Sequence, residues 1–195
     1  MKKKIIIPAI VLIALAVFLC MSCKVIDKGT ESLYTNVVEF DASADSADDW
    51  SLVSGEITEK ARDINELDLS NLGVGAPVTI KGTVTDYVSK ANGKKNSLVV
   101  APDGYSGDAV ISVQIGSIYS GTAVRDAQTL KAFGDFTNQT EWSQYAKALN
   151  SELDEKVVLP LALDENAKGK QIELTGVATA SGSEVTVTPI AMTLQ

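Results

Sequence analysis

From Pro77 onward, apolar and polar positions alternate along the chain with a period of two. Val78-Thr79-Ile80-Lys81-Gly82-Thr83-Val84-Thr85-Asp86-Tyr87-Val88 is rich in β-branched residues and predicts a long strand. Asn92-Gly93, within Lys90 to Asn96, is a hairpin signal because both residues tolerate positive φ. It predicts a second strand over Ser97 to Ala101. Pro102-Asp103-Gly104 and Ser106-Gly107-Asp108 punctuate a turn before a third strand, Ala109 to Ile115. The alternation then stops. Between Gly116 and Leu153 the best periodic segment is Glu141 to Leu153, where Trp142, Ala146, Leu149 and Leu153 fall on one helical face. Lys170 to Ala178 and Glu184 to Leu194 predict two final strands joined through Ala180-Ser181-Gly182-Ser183.

Three strands, a helix and two strands is the order of an OB-fold, a five-stranded Greek-key barrel with a helix between strands three and four. The expected class is mainly β with minor α. Glycines inside two strands support closure: Gly82 in Ile80-Lys81-Gly82-Thr83-Val84 and Gly176 in Leu174-Thr175-Gly176-Val177-Ala178. Interior glycines mark bulges or tight bends, and the first and fourth strands of such a barrel are neighbours. An open antiparallel sheet with helices on one face is the competing architecture.

The predicted division is a signal over 1–22, a polar tether over 23–36, an N-terminal arm over 37–76 and the β domain over 77–195. Within the arm, Val37 to Phe40 reads as extended, and the acidic run Asp41 to Asp49 as a surface loop or a weak helix ending at Trp50. Thr58 to Leu72 reads as the arm's helix, with Ala61, Ile64, Leu67 and Leu72 near one face and Asn71-Leu72-Gly73 as its stop. The acidic run lacks the glycine and the later glutamate of a calcium loop, so it reads as solvated charge.

The N-terminus carries an address. Lys2, Lys3 and Lys4 precede an apolar run from Ile5 to Met21, followed by Ser22 and Cys23. A basic start, an apolar core and a small residue before the cleavage point describe a secretory signal. A cysteine immediately after it makes a lipoprotein signal, with Cys23 as the lipidated first residue of the mature chain. An uncleaved anchor helix is the alternative. Cys20 reads as part of the apolar run. Cleavage before Cys23 leaves no second cysteine, so neither a disulfide nor a catalytic thiol is expected.

The mature chain has a net charge of −11, because the signal holds three of the seventeen basic residues and none of the acids. That balance opposes nucleic acid as a partner. The sequence contains no histidine, which removes the commonest general base and metal ligand. Gly73-Val74-Gly75 lacks the rest of a dinucleotide fingerprint. No metal, no cofactor and no catalytic residues are expected. A carboxylate-dependent hydrolase of envelope polymers is the remote enzymatic alternative.

Four pieces in order are distinctive: Val113-Gln114-Ile115-Gly116, Gly121-Thr122-Ala123-Val124-Arg125-Asp126-Ala127, Phe133-Gly134-Asp135-Phe136-Thr137-Asn138-Gln139 and Tyr145-Ala146-Lys147-Ala148-Leu149-Asn150. Together they resemble a family of predicted periplasmic lipoproteins of unknown function. The likeness is specific over Val113 to Asn150, looser over Val78 to Leu194, and departs from the family pattern before it. The resemblance implies a lipidated cysteine, an envelope location, and an accessory role beside sugar ABC uptake systems. It implies no catalytic residues. Two readings of these pieces stand side by side. In one they form a polar ligand site at the barrel mouth, with Arg125, Asp126, Asn138 and Gln139 supplying polar groups and Phe136 or Trp142 a stacking face. A small sugar or a transporter component would be the partner. In the other they are structural: Asn138 and Glu141 form a capping box, Arg125 pairs with Asp126, Asp135 or Glu141, and Phe133 and Phe136 are core.

Overall fold

The structure, a computed structural model, describes residues 40–195. The signal, Cys23, the tether and Val37 to Glu39 lie outside the described residues. Helix α1 spans Ala42–Lys60. The strands are β1 (Arg62–Asp63), β2 (Ala76–Val88), β3 (Ser97–Pro102), β4 (Val110–Gln114), β5 (Gln171–Ser181) and β6 (Glu184–Leu194). Helices α2 (Ala123–Ala127) and α3 (Gln139–Leu153) lie between β4 and β5. Asp41–Gln195 form one compact unit.

Five strands close into a barrel in the order β2-β3-β4-β6-β5, with β5 returning to β2. All pairs in the ring are antiparallel except β4 with β6. This is the OB topology, and its strands lie within two or three residues of the sequence-based expectation. β2 must serve two neighbours. Residues 76–83 pair with β5 and residues 82–88 with β3, so Gly82 and Thr83 are held from both sides. A β-carbon on Gly82 would strike the carbonyl of Ala101 and lie 2.8 Å from the Pro102 Cα. One on Gly176 would lie 2.6 Å from the Thr188 carbonyl oxygen. Both glycines permit close strand approach at sharp curvature, and each lies next to a register shift: Val84/Asp86 in β2 and Thr175/Gly176 in β5. The alternation of burial along the strands sends Leu98, Val100, Ile111, Val113, Val185 and Val187 inward.

The N-terminal helix is displaced from its expected position. Asp41 starts it by accepting hydrogen bonds from the backbone of Ser43 (3.0 Å) and Ala44 (3.1 Å). The buried stripe is Ser46, Trp50, Val53 and Ile57, packed against α3 and the barrel. The acidic run is therefore the helix's first half, and Thr58 to Leu72 is not helical after Lys60. Ala61 turns extended, and Arg62–Asp63 pair in parallel with Val78–Thr79. Ile64 and Leu72 are buried as expected, but from a 3-10 turn and a loop. The spacing of apolar residues misled here because Ser46 and the alanines give the true helix little hydrophobic contrast.

Helix α3 buries Ala146, Leu149 and Leu153 of the expected stripe, but Tyr145 takes the buried place expected of Trp142, which is only half-buried. It widens into a π-helical turn over Asp154–Val158 before a left-handed residue, Ala162 (φ 45°), ends the segment.

Candidate functional site

Arg125, on α2, is held on three sides. Its Nε and Nη2 donate to Asp126 Oδ1 at 2.8 and 2.6 Å, and its Nη1 donates to the Trp142 carbonyl at 3.3 Å. The guanidinium carbon lies 4.2 Å from the centre of the Trp142 ring. Asp126 accepts at its other oxygen from Thr122 Oγ1 at 2.5 Å. The Arg125 side chain is only 12% exposed. Phe136 packs on Trp142 (4.9 Å) and Tyr145 (5.2 Å). The Asn138 side-chain Oδ1 caps α3 by accepting from Thr140 N and Glu141 N, while Glu141 accepts from Thr137 N. Gln139 is exposed in the first turn of α3.

The structure thus brings Arg125, Asp126, Phe136 and Trp142 together and leaves Asn138 and Gln139 at the surface start of the same helix. The polar groups of Arg125, Asp126 and Asn138 are committed to the fold.

This cluster continues into a brace between α1 and α3. Tyr145 donates its hydroxyl to Asp49 at 2.9 Å, and Lys131 Nζ reaches the same carboxylate at 2.8 Å and Asp45 at 3.6 Å. Burial and the neighbouring Asp49 push the Tyr145 phenol above its ordinary range. Burial alone would lower the Lys131 ammonium, but hydrogen bonding and charge from Asp49 and Asp45 outweigh it and raise it. Gln128, buried, shapes the turn that presents Lys131 by donating to the Arg125 and Lys131 carbonyls and accepting from Lys131 N. Two turns further along α1, Glu56 accepts from Thr129 N (2.9 Å), Thr129 Oγ1 (2.6 Å) and Lys60 (2.5 Å). Partial burial opposes its charge, yet these donors prevail and hold the carboxyl at about 2. Asp45, Asp49 and Glu56 share one helical face, a spacing visible in the sequence once α1 is placed correctly.

Gln114-Ile115-Gly116 fastens the exit of β4 to the β2–β3 hairpin. Gln114 accepts from Ser120 N (2.7 Å) and donates to Thr188 Oγ1 (2.9 Å). Ile115 N donates to the Asn96 carbonyl (3.0 Å) and Ile118 N to the Lys94 carbonyl (2.8 Å). Gly116 lies so close that a β-carbon would meet the Lys94 carbonyl and lie 2.6 Å from Asn96 N.

Two open surface regions lie near these elements. The outward side chains of β3, β4 and β6 form a polar face with two adjoining hollows of about 190 and 260 Å³. Ser97, Ser112 and Glu184 line both, with Lys90 at one end; Lys95, Asn96 and Thr186 line the first, Val99 and Val110 the second. Asn96 donates to the Tyr87 hydroxyl at 2.7 Å, while its buried Oδ1 has no partner among the described residues. The second region is a cleft of about 410 Å³ between the 117–119 segment and one face of α3, lined by Lys147, Asn150, Ser151, Asp154 and Leu159. Tyr119 donates to Asp154 Oδ1 there at 2.9 Å, and burial, reinforced by Asp154, raises its phenol. Sequence reasoning missed both regions, because their residues are ordinary serines, threonines and lysines that only strand pairing brings together.

A closed five-stranded barrel of this connectivity, braced by an N-terminal helix, defines an OB-fold protein. The fold is similar to that of an OB-fold protein from Thermotoga maritima, with a TM-score of 0.54 at 15% identity, covering 81% of this chain and 100% of that one. OBody NL8, in its complex with hen egg-white lysozyme, is similar at a TM-score of 0.31 and 14% identity, covering 62% of this chain and 94% of that one. Among curated proteins none matches. Residues 12–193 match the family described as "Predicted periplasmic lipoprotein (DUF2291)", and the chain belongs to that family. The match extends through the N-terminal half, beyond the stretch whose motifs carried the resemblance. Membership agrees with the signal and with Cys23, and with a periplasmic, lipid-anchored location.

Proposed function

We propose that this lipoprotein is a non-enzymatic binding module, tethered to the membrane through Cys23, whose polar face on β3, β4 and β6 takes a small saccharide beside a sugar uptake system. The carrying observation is the contrast between the two polar regions. Arg125, Asp126 and Asn138 spend their hydrogen bonds on the fold, whereas Ser97, Thr186 and Lys90 present open polar groups around the two hollows, with Ser112 buried at their floor. OB barrels commonly bind oligosaccharides on this side, between the loops joining strands one to two and four to five. Those loops here are Lys90–Asn96 and the Gly182–Ser183 turn. A non-enzymatic role is supported by the lack of histidine in the sequence and by Glu56, Asp49 and Asp126 each being engaged in the brace.

The test is a glycan-binding screen of the folded protein, repeated with Thr186→Trp to fill the first hollow. Binding that the tryptophan removes, with the melting temperature kept, supports the reading. No binding to any glycan, or binding indifferent to Thr186→Trp, contradicts it.

A further inference from the structure

The described part of the chain holds twelve basic residues, and seven of them are in ion pairs: Lys60, Arg62, Lys81, Arg125, Lys131, Lys156 and Lys168. Of the five left over, three are Lys90, Lys94 and Lys95 on the β2–β3 hairpin. In so acidic a protein, cations find carboxylates easily, so three without one in a six-residue loop are conspicuous. Their position is fixed. Ala91, Asn92 and Gly93 all take positive φ (51°, 57° and 80°), and Lys95 N donates to the Lys90 carbonyl at 3.1 Å. The loop is tied from below by the contacts of Ile115 and Ile118. Lys90 and Lys95 both line the hollow that holds Ser97, Ser112, Thr186 and the unpartnered Asn96 Oδ1.

Resting on the saccharide face proposed above, we infer that this face selects an anionic saccharide, one bearing a phosphate or carboxylate group. The ammonium groups of Lys90 and Lys95 receive the anion, since a charged hydrogen bond is roughly twice as strong as a neutral one. Ser97 and Thr186, half-buried on the face, exchange hydrogen bonds with sugar hydroxyls. Glu184 accepts from hydroxyls farther along. Glu184 also repels a second anion, so the favoured ligand carries its charge at one end. Lys94 adds to the local field. The cleft beside α3 fits such a ligand less well, because its cation, Lys147, shares the walls with Asp154 and Glu155.

The test uses the full lipidated protein in neutral detergent and calorimetric titration with four probes: glucose, glucose 6-phosphate, galacturonate and glycerol 3-phosphate. Glucose 6-phosphate or galacturonate should bind at least tenfold more tightly than glucose. The combined variant Lys90→Ala, Lys95→Ala should lose at least tenfold, while Lys170→Ala, an unpaired lysine on β5's approach, should change nothing. Glucose binding as tightly as the anionic sugars overturns the anionic selection and leaves the saccharide face standing. Glycerol 3-phosphate binding as tightly as glucose 6-phosphate overturns the saccharide class in favour of a phospholipid headgroup. Failure of all four probes, with the protein folded, overturns the inference and the face together.

Discussion

The Arg125 guanidinium lies over the Trp142 ring at 4.2 Å while its own neighbour, Asp126, holds it from the other side. Stacking and ion pairing lock one side chain between α2 and α3 in a site only 12% exposed. Removing the arginine strands a partly buried Asp126 and uncovers the indole. Arg125→Ala is expected to cost about 2 kcal/mol. Arg125→Lys should restore only part of this, because an ammonium cannot stack and fork at once. Chemical denaturation followed by Trp142 fluorescence checks both.

Glu56 makes stability depend on pH at the acid end. Its carboxyl is held at about 2 in the folded protein against an ordinary 4.5. The folded state therefore binds fewer protons, and the contribution is complete above about pH 4.5 and lost as pH falls toward 2. Glu56→Gln should cost about 2 kcal/mol at neutral pH, and the gap between the two proteins should close between pH 4.5 and 2. Equilibrium unfolding across that range gives the result directly.

Gly116 couples the strand exit to the lysine hairpin. Gly116→Ala drives a methyl into the Lys94 carbonyl and toward Asn96 N. A loss of about 1–3 kcal/mol is expected, together with displacement of the hairpin. Amide exchange at Lys94 to Asn96 should accelerate while the β5–β6 ladder keeps its protection.

Cys23→Ser should abolish incorporation of labelled fatty acid and release the protein from the membrane fraction, leaving its melting profile unchanged. Retention in the membrane fraction without label would return the first twenty-three residues to the anchor-helix alternative, and retention of the label would move the lipid to another residue.

The barrel was legible in the sequence because strand patterning is local and strong. Val78 to Val84 and Glu184 to Val187 alternate before each strand's irregularity, and Gly82 and Gly176 mark the places where strands crowd. Helix α1 was legible only as the weak-helix alternative for Asp41 to Asp49, and its run on to Lys60 was missed because its buried stripe begins with Ser46 and its start depends on one side chain, Asp41. The distinctive residues between Val113 and Asn150 were visible as a pattern, and the N-cap at Asn138 and the Arg125–Asp126 pair were foreseen as the structural reading, although Glu141 accepts from Thr137 N in place of the Asn138 N of a capping box. Their function as parts of a brace needed Asp49 and Lys131, which are 82 residues apart in the chain. The polar face could not be read at all, since Ser97, Ser112 and Thr186 become neighbours only through the β3–β4 and β4–β6 registers.

The most direct test of the account is amide chemical-shift mapping of the isotope-labelled lipidated protein titrated with glucose 6-phosphate. Shifts concentrated at Lys90, Lys95, Ser97, Ser112 and Thr186, with the Arg125–Trp142 region unmoved, are the predicted result. Shifts concentrated at Arg125, Phe136, Asn138 and Trp142, with the β3–β4–β6 face silent, would contradict it.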